Sequence, residues 1–193
     1  RLRALAVQAH AVIIADQMPE PECGVITTRV RAMLAQLATA HPDIWFLADS
    51  RERIGLFEQV IVKPNARECV RAVYPDDSAD PPLALVAQAA EQLRQRTGKP
   101  VFITLGARGI LVMHERGIEQ APAPPVFGPI DVTGAGDSVM AALAVALCAG
   151  ASPEEAATLG NLAAAVTIRQ LGTTGVATPA QVLEQWRAWH AEG

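Results

Sequence analysis

Apolar residues along this chain fall into short unbroken runs, and between the runs they recur every three or four positions. The run Ala11-Val-Ile-Ile-Ala15 ends at Asp16 and gives way to the turn-rich Met18-Pro-Glu-Pro21, which predicts a buried strand and its loop. From Gly24 onward Ile26, Val30, Met33, Leu34 and Leu37 keep helical spacing and close a first β-α unit. Ile44 to Ala48 predicts a second strand with Asp49 at its carboxyl end. Val60 to Val62 predicts a third, running into Lys63-Pro64-Asn65, where Pro64 stops regular structure and Asn65 caps a helix starting at Ala66. Asp76 to Pro82 reads as an exposed polar loop, Leu83 to Arg96 as a helix ended by Gly98, and Val101 to Leu105 as a fourth strand before a turn at Gly106.

Farther on, Ile110 to Met113 and the residues around Ile118 predict a hairpin. Ala121-Pro-Ala-Pro-Pro125 is too rich in proline for a central strand and reads as a connector to Asp131-Val-Thr-Gly-Ala-Gly-Asp137 and a following apolar helix. Two more helices are predicted, from Pro153 to about Gln170 and from Pro179 to about His190, each with Ser or Thr ahead of a proline at the first helical position. Repeated strand-helix alternation predicts an α/β fold with a mostly parallel sheet covered on both faces.

Composition narrows the function classes. The 193 residues are 50% hydrophobic and 19% charged, which excludes a disordered chain, and the formal net charge of −4 without a basic run argues against nucleic acid as partner. The longest apolar run, Val139 to Ala149, falls short of the ~18 residues of a membrane span. Cys23, Cys69 and Cys148 have no metal-ligand or C-x-x-C spacing and predict buried thiols in a reducing compartment, the cytoplasm. His10, His41, His114 and His190 are scattered and receive no catalytic role, and Trp186 and Trp189 read as a packing face of the last helix. The chain opens at Arg1, without an initiator Met, and reaches an apolar run almost at once. This reads as a start in mid-domain with residues missing upstream, and Gln8 and His10 interrupt any signal-peptide core.

Ligands of parallel sheets bind beyond the carboxyl ends of the strands, and the polar motifs fall there. Gly134-Ala135-Gly136-Asp137 stands directly before a long apolar helix, where small residues and unpaired N–H groups at the positive helix end form an anion cradle. Asp137 has two readings at this point: a favourable charge for the helix dipole, or a general base beside a phosphate. Asn65 and Glu68, at i and i+3 of a helix start, read either as a capping box or as oxygen donors for a hydrated Mg²⁺. Neither a Walker-type loop nor a complete G-x-G-x-x-G is present, which disfavours a dinucleotide oxidoreductase.

Asp131-Val-Thr-Gly-Ala-Gly-Asp137 resembles the carboxyl-terminal signature of the ribokinase (PfkB) carbohydrate kinases. Lys63-Pro-Asn65-Ala-Arg-Glu68 resembles the N-x-x-E motif of that family and Thr104-Leu-Gly106-Ala-Arg108-Gly109 its nucleotide-binding T-x-G-x-x-G, all in family order. The likeness runs from about Val12 to Leu183. It implies a ribokinase-like three-layer α/β/α fold, read as one domain over residues 1–193 that lacks the family's amino-terminal β lid and sugar-binding segment. It further implies ATP-dependent phosphorylation of a sugar or sugar phosphate, with Asp137 as base and the N–H groups of Gly134, Ala135 and Gly136 as anion hole.

By the same resemblance Asn65 and Glu68 serve Mg²⁺, and Thr104, Gly106, Arg108 and Gly109 serve the nucleotide. Asn161 lines the adenine pocket, the alternative being a solvated helix residue, and Asp131 and Thr133 are an optional K⁺ site. Asp131 to Asp137 and Gly172-Thr-Thr-Gly-Val-Ala-Thr-Pro179 look closest to the kinase half of bifunctional heptose kinase/adenylyltransferases, which phosphorylate heptose 7-phosphate. The competing expectation is a catalytically inactive nucleotide-binding module. A homodimer is an open option, and neither membrane nor nucleic acid is expected as a partner.

Overall fold

The computed structural model describes residues 1–76 and 80–191. Its elements in chain order are α1 (Leu2–Ala6), β1 (Ala11–Asp16), α2 (Thr28–Ala40), β2 (Trp45–Ser50), β3 (Ile61–Val62), α3 (Ala66–Arg71), α4 (Leu83–Thr97), β4 (Val101–Thr104), β5 (Ile110–His114), β6 (Gly117–Ala121), α5 (Ala135–Cys148), α6 (Pro153–Thr167) and α7 (Pro179–Ala191). They form two compact units, one of Arg1–Thr104 with Leu111–Glu119 and one of Leu105–Ile110 with Gln120–Gly193.

The first unit is built on the sheet. The strand order is β1-β2-β3-β4-β5-β6, and the first four strands pair in parallel, with Ala15 opposite Asp49, Asp16 opposite Ser50, Ala48 opposite Val62, and Val62 opposite Val101. Leu47, Ala48, Ile61, Val62, Val101, Phe102 and Ile103 are buried without alternation, as expected for strands covered on both faces. Helix α2 begins at Thr28, two residues after the first apolar position of its spacing, Ile26, because Thr27 caps it by accepting from Val30 N–H (3.3 Å). Glu22 adds a second brace, accepting from Thr28 N–H (2.8 Å) and Thr28 Oγ1 (2.7 Å). Gly98, in the left-handed region at φ 64°, ends α4 as expected.

Several expectations are corrected here. Helix α1 is a single short turn segment with only Ala6 buried, so it carries no periodic signal. β2 continues through Asp49 to Ser50, because its partner β1 runs on to Asp16. Of the Asp76 to Pro82 loop, Pro81 is buried, while residues 77–79 lie outside the described residues. Only Cys69 is a buried thiol, and burial pushes it up to about 12; Cys23 and Cys148 are exposed.

The second unit packs α5 against α6 and α6 against α7. Gly160 makes the close approach: a Cβ there would stand 3.2 Å from Val139 Cγ1 and 3.3 Å from Ile110 Cδ1. Ser152 and Glu155 close a reciprocal capping box at the start of α6, with proline at the first turn. Among the described residues no helix is long and apolar enough to cross a membrane.

Candidate active site

In the first unit the functional side chains stand in a row along the carboxyl ends of the parallel strands. β3 delivers Lys63-Pro64-Asn65, and Asn65, extended at φ −81° and ψ 174°, opens α3. Asn65 Oδ1 accepts from Glu68 N–H (2.9 Å) and Glu68 Oε2 from Asn65 N–H (2.8 Å), so the capping box is present. It leaves Glu68 Oε1 without a partner among the described residues. Next to it the chain makes a bridge between Asn65 and Thr104, and Thr104 N–H donates to the Pro64 carbonyl (3.0 Å). Two motifs 39 positions apart in sequence thereby become neighbours.

The charges around Glu68 were not singled out by sequence reasoning. Lys63, 4% exposed, pairs with Asp49 (3.0 Å), and Asp16, which ends β1, pairs with Arg53 (2.8 Å). Both strand-end aspartates are thus in ion pairs. The available signal was a cation directly after an apolar strand, as in Val60-Ile-Val-Lys63. Burial raises the Glu68 carboxyl above the ordinary glutamate range; the Asn65 N–H bond opposes this shift and the nearby Asp49 adds to it. An uncommitted oxygen on a half-buried carboxylate with Asp49 at hand is a donor set that fits a hard divalent cation through water, as Mg²⁺ prefers. Asn65 Oδ1 is already taken by the cap, so Asn65 fixes Glu68 in place.

The second unit carries the glycine-rich turn. Gly134, at φ 77° and ψ 0°, is the N-cap residue of α5, and only glycine adopts that conformation without strain. The expected trio of donors is revised: Ala135 N–H is spent on the Val132 carbonyl (3.1 Å). Gly134, Gly136 and Asp137 are the turn amides without a protein acceptor among the described residues. Asp137 lies in the first turn, exposed, and its carboxylate makes no hydrogen bond or ion pair among the described residues. Asp131 holds this turn in place, accepting from Thr133 N–H (2.9 Å) and, across to the loop before α7, from Gly172 N–H (3.1 Å). Hydrogen bonds from Thr133 and then from Gly172 keep the Asp131 carboxyl below its usual range.

Gly106 to Arg108 forms a single 3₁₀ turn after β4, and Arg108 is exposed. Gly109 follows at φ 88°, and a Cβ there would stand 2.2 Å from the Ala121 carbonyl oxygen, so packing alone demands glycine. Around Gly106, by contrast, no atom of the described residues other than Gly106 and its chain neighbours lies within 4 Å of a Cβ position, which leaves its backbone open to a ligand. Asn161 is not a solvated helix residue: it is 5% exposed, and its Nδ2 donates to the carbonyls of Ala121 (2.9 Å) and Pro122 (3.2 Å). It ties α6 to the proline-rich connector. Asn161→Ala strands both carbonyls and is expected to cost about 1–3 kcal/mol, lowering Tm by roughly 2–12 °C in a thermal melt.

Along α5, α6 and α7 runs an apolar groove of about 840 Å³, with Asp137 and Ser138 at its polar end and Val145, Leu162, Leu183 and Trp186 among its walls.

The motifs and the local geometry agree with a family match. A model of the pfkB family of carbohydrate kinases fits residues 5–181. The chain belongs to that family. Among curated relatives of this pfkB chain, the bifunctional protein HldE of Azorhizobium caulinodans is 33% identical over 180 residues, covering 90% of the chain and 35% of the relative. HldE of Caulobacter sp. is 37% identical over 161 residues, covering 78% and 31%. The chain therefore spans about a third of the length of these relatives. Among solved structures, phosphofructokinase-2 from Escherichia coli in complex with potassium superposes with a TM-score of 0.72 at 23% identity, over 98% of this chain and 61% of that one. Arabidopsis thaliana ribokinase complexed with ribose and ATP gives 0.77 at 20% identity, over 95% and 57%. The pfkB chain has the ribokinase-like α/β fold.

Proposed function

We propose that this pfkB chain carries the phosphoryl-transfer machinery of an ATP-dependent kinase acting on a hydroxyl of a sugar or sugar phosphate. The observation that carries the reading is the turn at Gly134 to Asp137, with backbone donors left open beside a carboxylate that no group among the described residues engages. Asp137 accepts the proton of the acceptor hydroxyl at its carboxylate oxygen as the hydroxyl attacks the γ-phosphorus, while the bond from that phosphorus to the β,γ-bridging oxygen breaks and ADP leaves. The N–H groups of Gly134 and Gly136 donate to the phosphoryl oxygens as their charge develops. Thr104, Gly106, Arg108 and Gly109 form the nucleotide turn, in which Gly106 lets the backbone approach and Arg108 offers a charged donor to a phosphate. Asn161 supports the nucleotide side by holding the 121–122 connector.

Mg²⁺, when bound, neutralises charge on the phosphates, and Glu68, held by Asn65, is its residue here. K⁺ beside Asp131 and Thr133 belongs to the same proposal. Both carboxylate oxygens of Asp131 already accept N–H groups, so loop carbonyls would complete such a site. Heptose 7-phosphate leads the acceptors, because the curated relatives include HldE proteins and the Gly172 to Pro179 stretch resembles theirs.

The test is calorimetric titration of the full-length protein with Mg²⁺-ATP, followed by ADP release in the presence of heptose 7-phosphate, ribose or fructose 6-phosphate. Binding with acceptor-dependent ADP release is expected. Nucleotide binding without transfer to any of them would favour the inactive nucleotide-binding module, and absence of nucleotide binding would sink both readings.

A further inference from the structure

Behind the strand ends of the first unit lies a buried polar network that the reaction scheme above does not use. Arg53 is 9% exposed, Asp16 3% and Ser50 fully buried. The Arg53 guanidinium clamps Asp16 in a two-pronged pair, Nε to Oδ2 at 3.0 Å and Nη2 to Oδ1 at 2.8 Å. Its remaining donors reach the loop after β1, Nη1 to the Pro19 carbonyl at 2.9 Å and Nη2 to the Met18 carbonyl. Ser50 completes the network, donating from Oγ to Asp16 Oδ2 (2.7 Å) and accepting from Arg53 N–H (3.0 Å). Burying a guanidinium to hold two loop carbonyls is an expensive way to shape a surface loop, and it fixes Met18 and Pro19 from beneath while their upper side stays exposed.

The strand order places that loop at the β1 end of the row of carboxyl ends. Along the row of carboxyl ends stand Thr104 on β4, Asn65 and Glu68 after β3, Asp49 on β2 and Asp16 on β1. With the nucleotide at Thr104 and the metal at Glu68, the next positions along the row lead away from the nucleotide. Two strand spacings, roughly 10 Å, separate β3 from β1, which is about the span of one sugar beyond the transferred phosphoryl group. We propose that Arg53 is a positioning residue, which locks residues 17–20 as the wall of the acceptor side of the site through its fork to Asp16 and the carbonyls of Met18 and Pro19. This rests on the kinase reading.

The test compares Arg53→Lys and the double variant Asp16→Asn/Arg53→Gln with the parent in the full-length protein. Lysine keeps the charge but lacks the planar fork, and the double variant removes both buried charges, so neither leaves a lone buried carboxylate. With heptose 7-phosphate as probe, KM for the acceptor is expected to rise about tenfold or more in both variants while KM for Mg²⁺-ATP stays within about twofold. Amide hydrogen exchange across residues 17–24 is expected to accelerate in parallel. Loosened exchange with an unchanged acceptor KM would overturn the acceptor-wall assignment, and so would an equal rise in both KM values, the mark of a merely structural role. Unchanged exchange would overturn the latch. A parent that binds nucleotide but phosphorylates no acceptor would sink the kinase reading and the acceptor wall with it, whereas the exchange result decides the latch in either case.

Discussion

Asp137→Asn is expected to lower kcat by about 10²–10⁴-fold, the usual contribution of a positioned general base, with the Kd for Mg²⁺-ATP essentially unchanged. The asymmetry follows from where the carboxylate acts. It takes a proton from the acceptor as the bond to phosphorus forms, so its absence is felt in the transition state and not in the nucleotide complex. The substitution is a clean probe, because the Asp137 side chain holds no hydrogen bond or ion pair among the described residues, and amide for carboxylate changes little in size. The only structural charge is the loss of a favourable interaction with the α5 dipole, about 0.3–1 kcal/mol. Steady-state kinetics beside calorimetry on the full-length protein checks both halves. A variant with near-parental kcat would remove Asp137 from the base role and return it to an ordinary first-turn acid.

Glu68→Gln carries the second large effect. Glutamine can still accept from Asn65 N–H through its carbonyl oxygen, so the capping box and the thermal stability are expected to persist. The charge that attracts the metal is lost, and the apparent Mg²⁺ affinity in an activity titration is expected to fall by about 10–100-fold. The parent should also show a pH dependence with a defined sign. Burial raises the folded-state pKa of Glu68, so the folded protein holds this proton more tightly than the unfolded chain does. Without metal, Glu68 therefore contributes a loss of stability as pH rises from the ordinary glutamate range through the raised value. Mg²⁺ reverses the preference by favouring the ionised carboxylate, so its affinity climbs over the same window. Melting curves with and without Mg²⁺ across that range should diverge as pH rises, and in Glu68→Gln the divergence should disappear. A parent with the same divergence as the variant would remove Glu68 from the metal site.

The order of strands and helices was legible in the chain because each element announces itself locally. Unalternating apolar runs mark strands covered on both faces, Asn65 and Ser152 mark helix starts, and Gly98 marks a stop. The glycine-rich turn before α5 was legible for the same reason: Gly134 must take a left-handed conformation that few other residues tolerate. What stayed hidden depends on partners distant in sequence. In the sequence Asp16 and Asp49 are simply the residues at two strand ends, and their buried ion pairs with Arg53 and Lys63 arise only when parallel pairing sets strand ends side by side. Asn161 looked like a residue for solvent or ligand, and only the packing of α6 against the connector shows its amide spent on two carbonyls.

The sequence by itself therefore determined the α/β class and the places of the three motifs, because propensity, capping and backbone-conformation demands act within a few residues, and the family was read from the resemblance of those motifs. Tertiary structure alone decided which groups remain open for chemistry. It committed Ala135 N–H to Val132, took up Asn65 Oδ1 in the cap, and left Glu68 Oε1, the Asp137 carboxylate and the amides of Gly134 and Gly136 without partners among the described residues. The reason is physical: a donor or acceptor buried in a fold must be satisfied by whatever group the chain brings to it, and that group is set by pairing and packing across tens of residues.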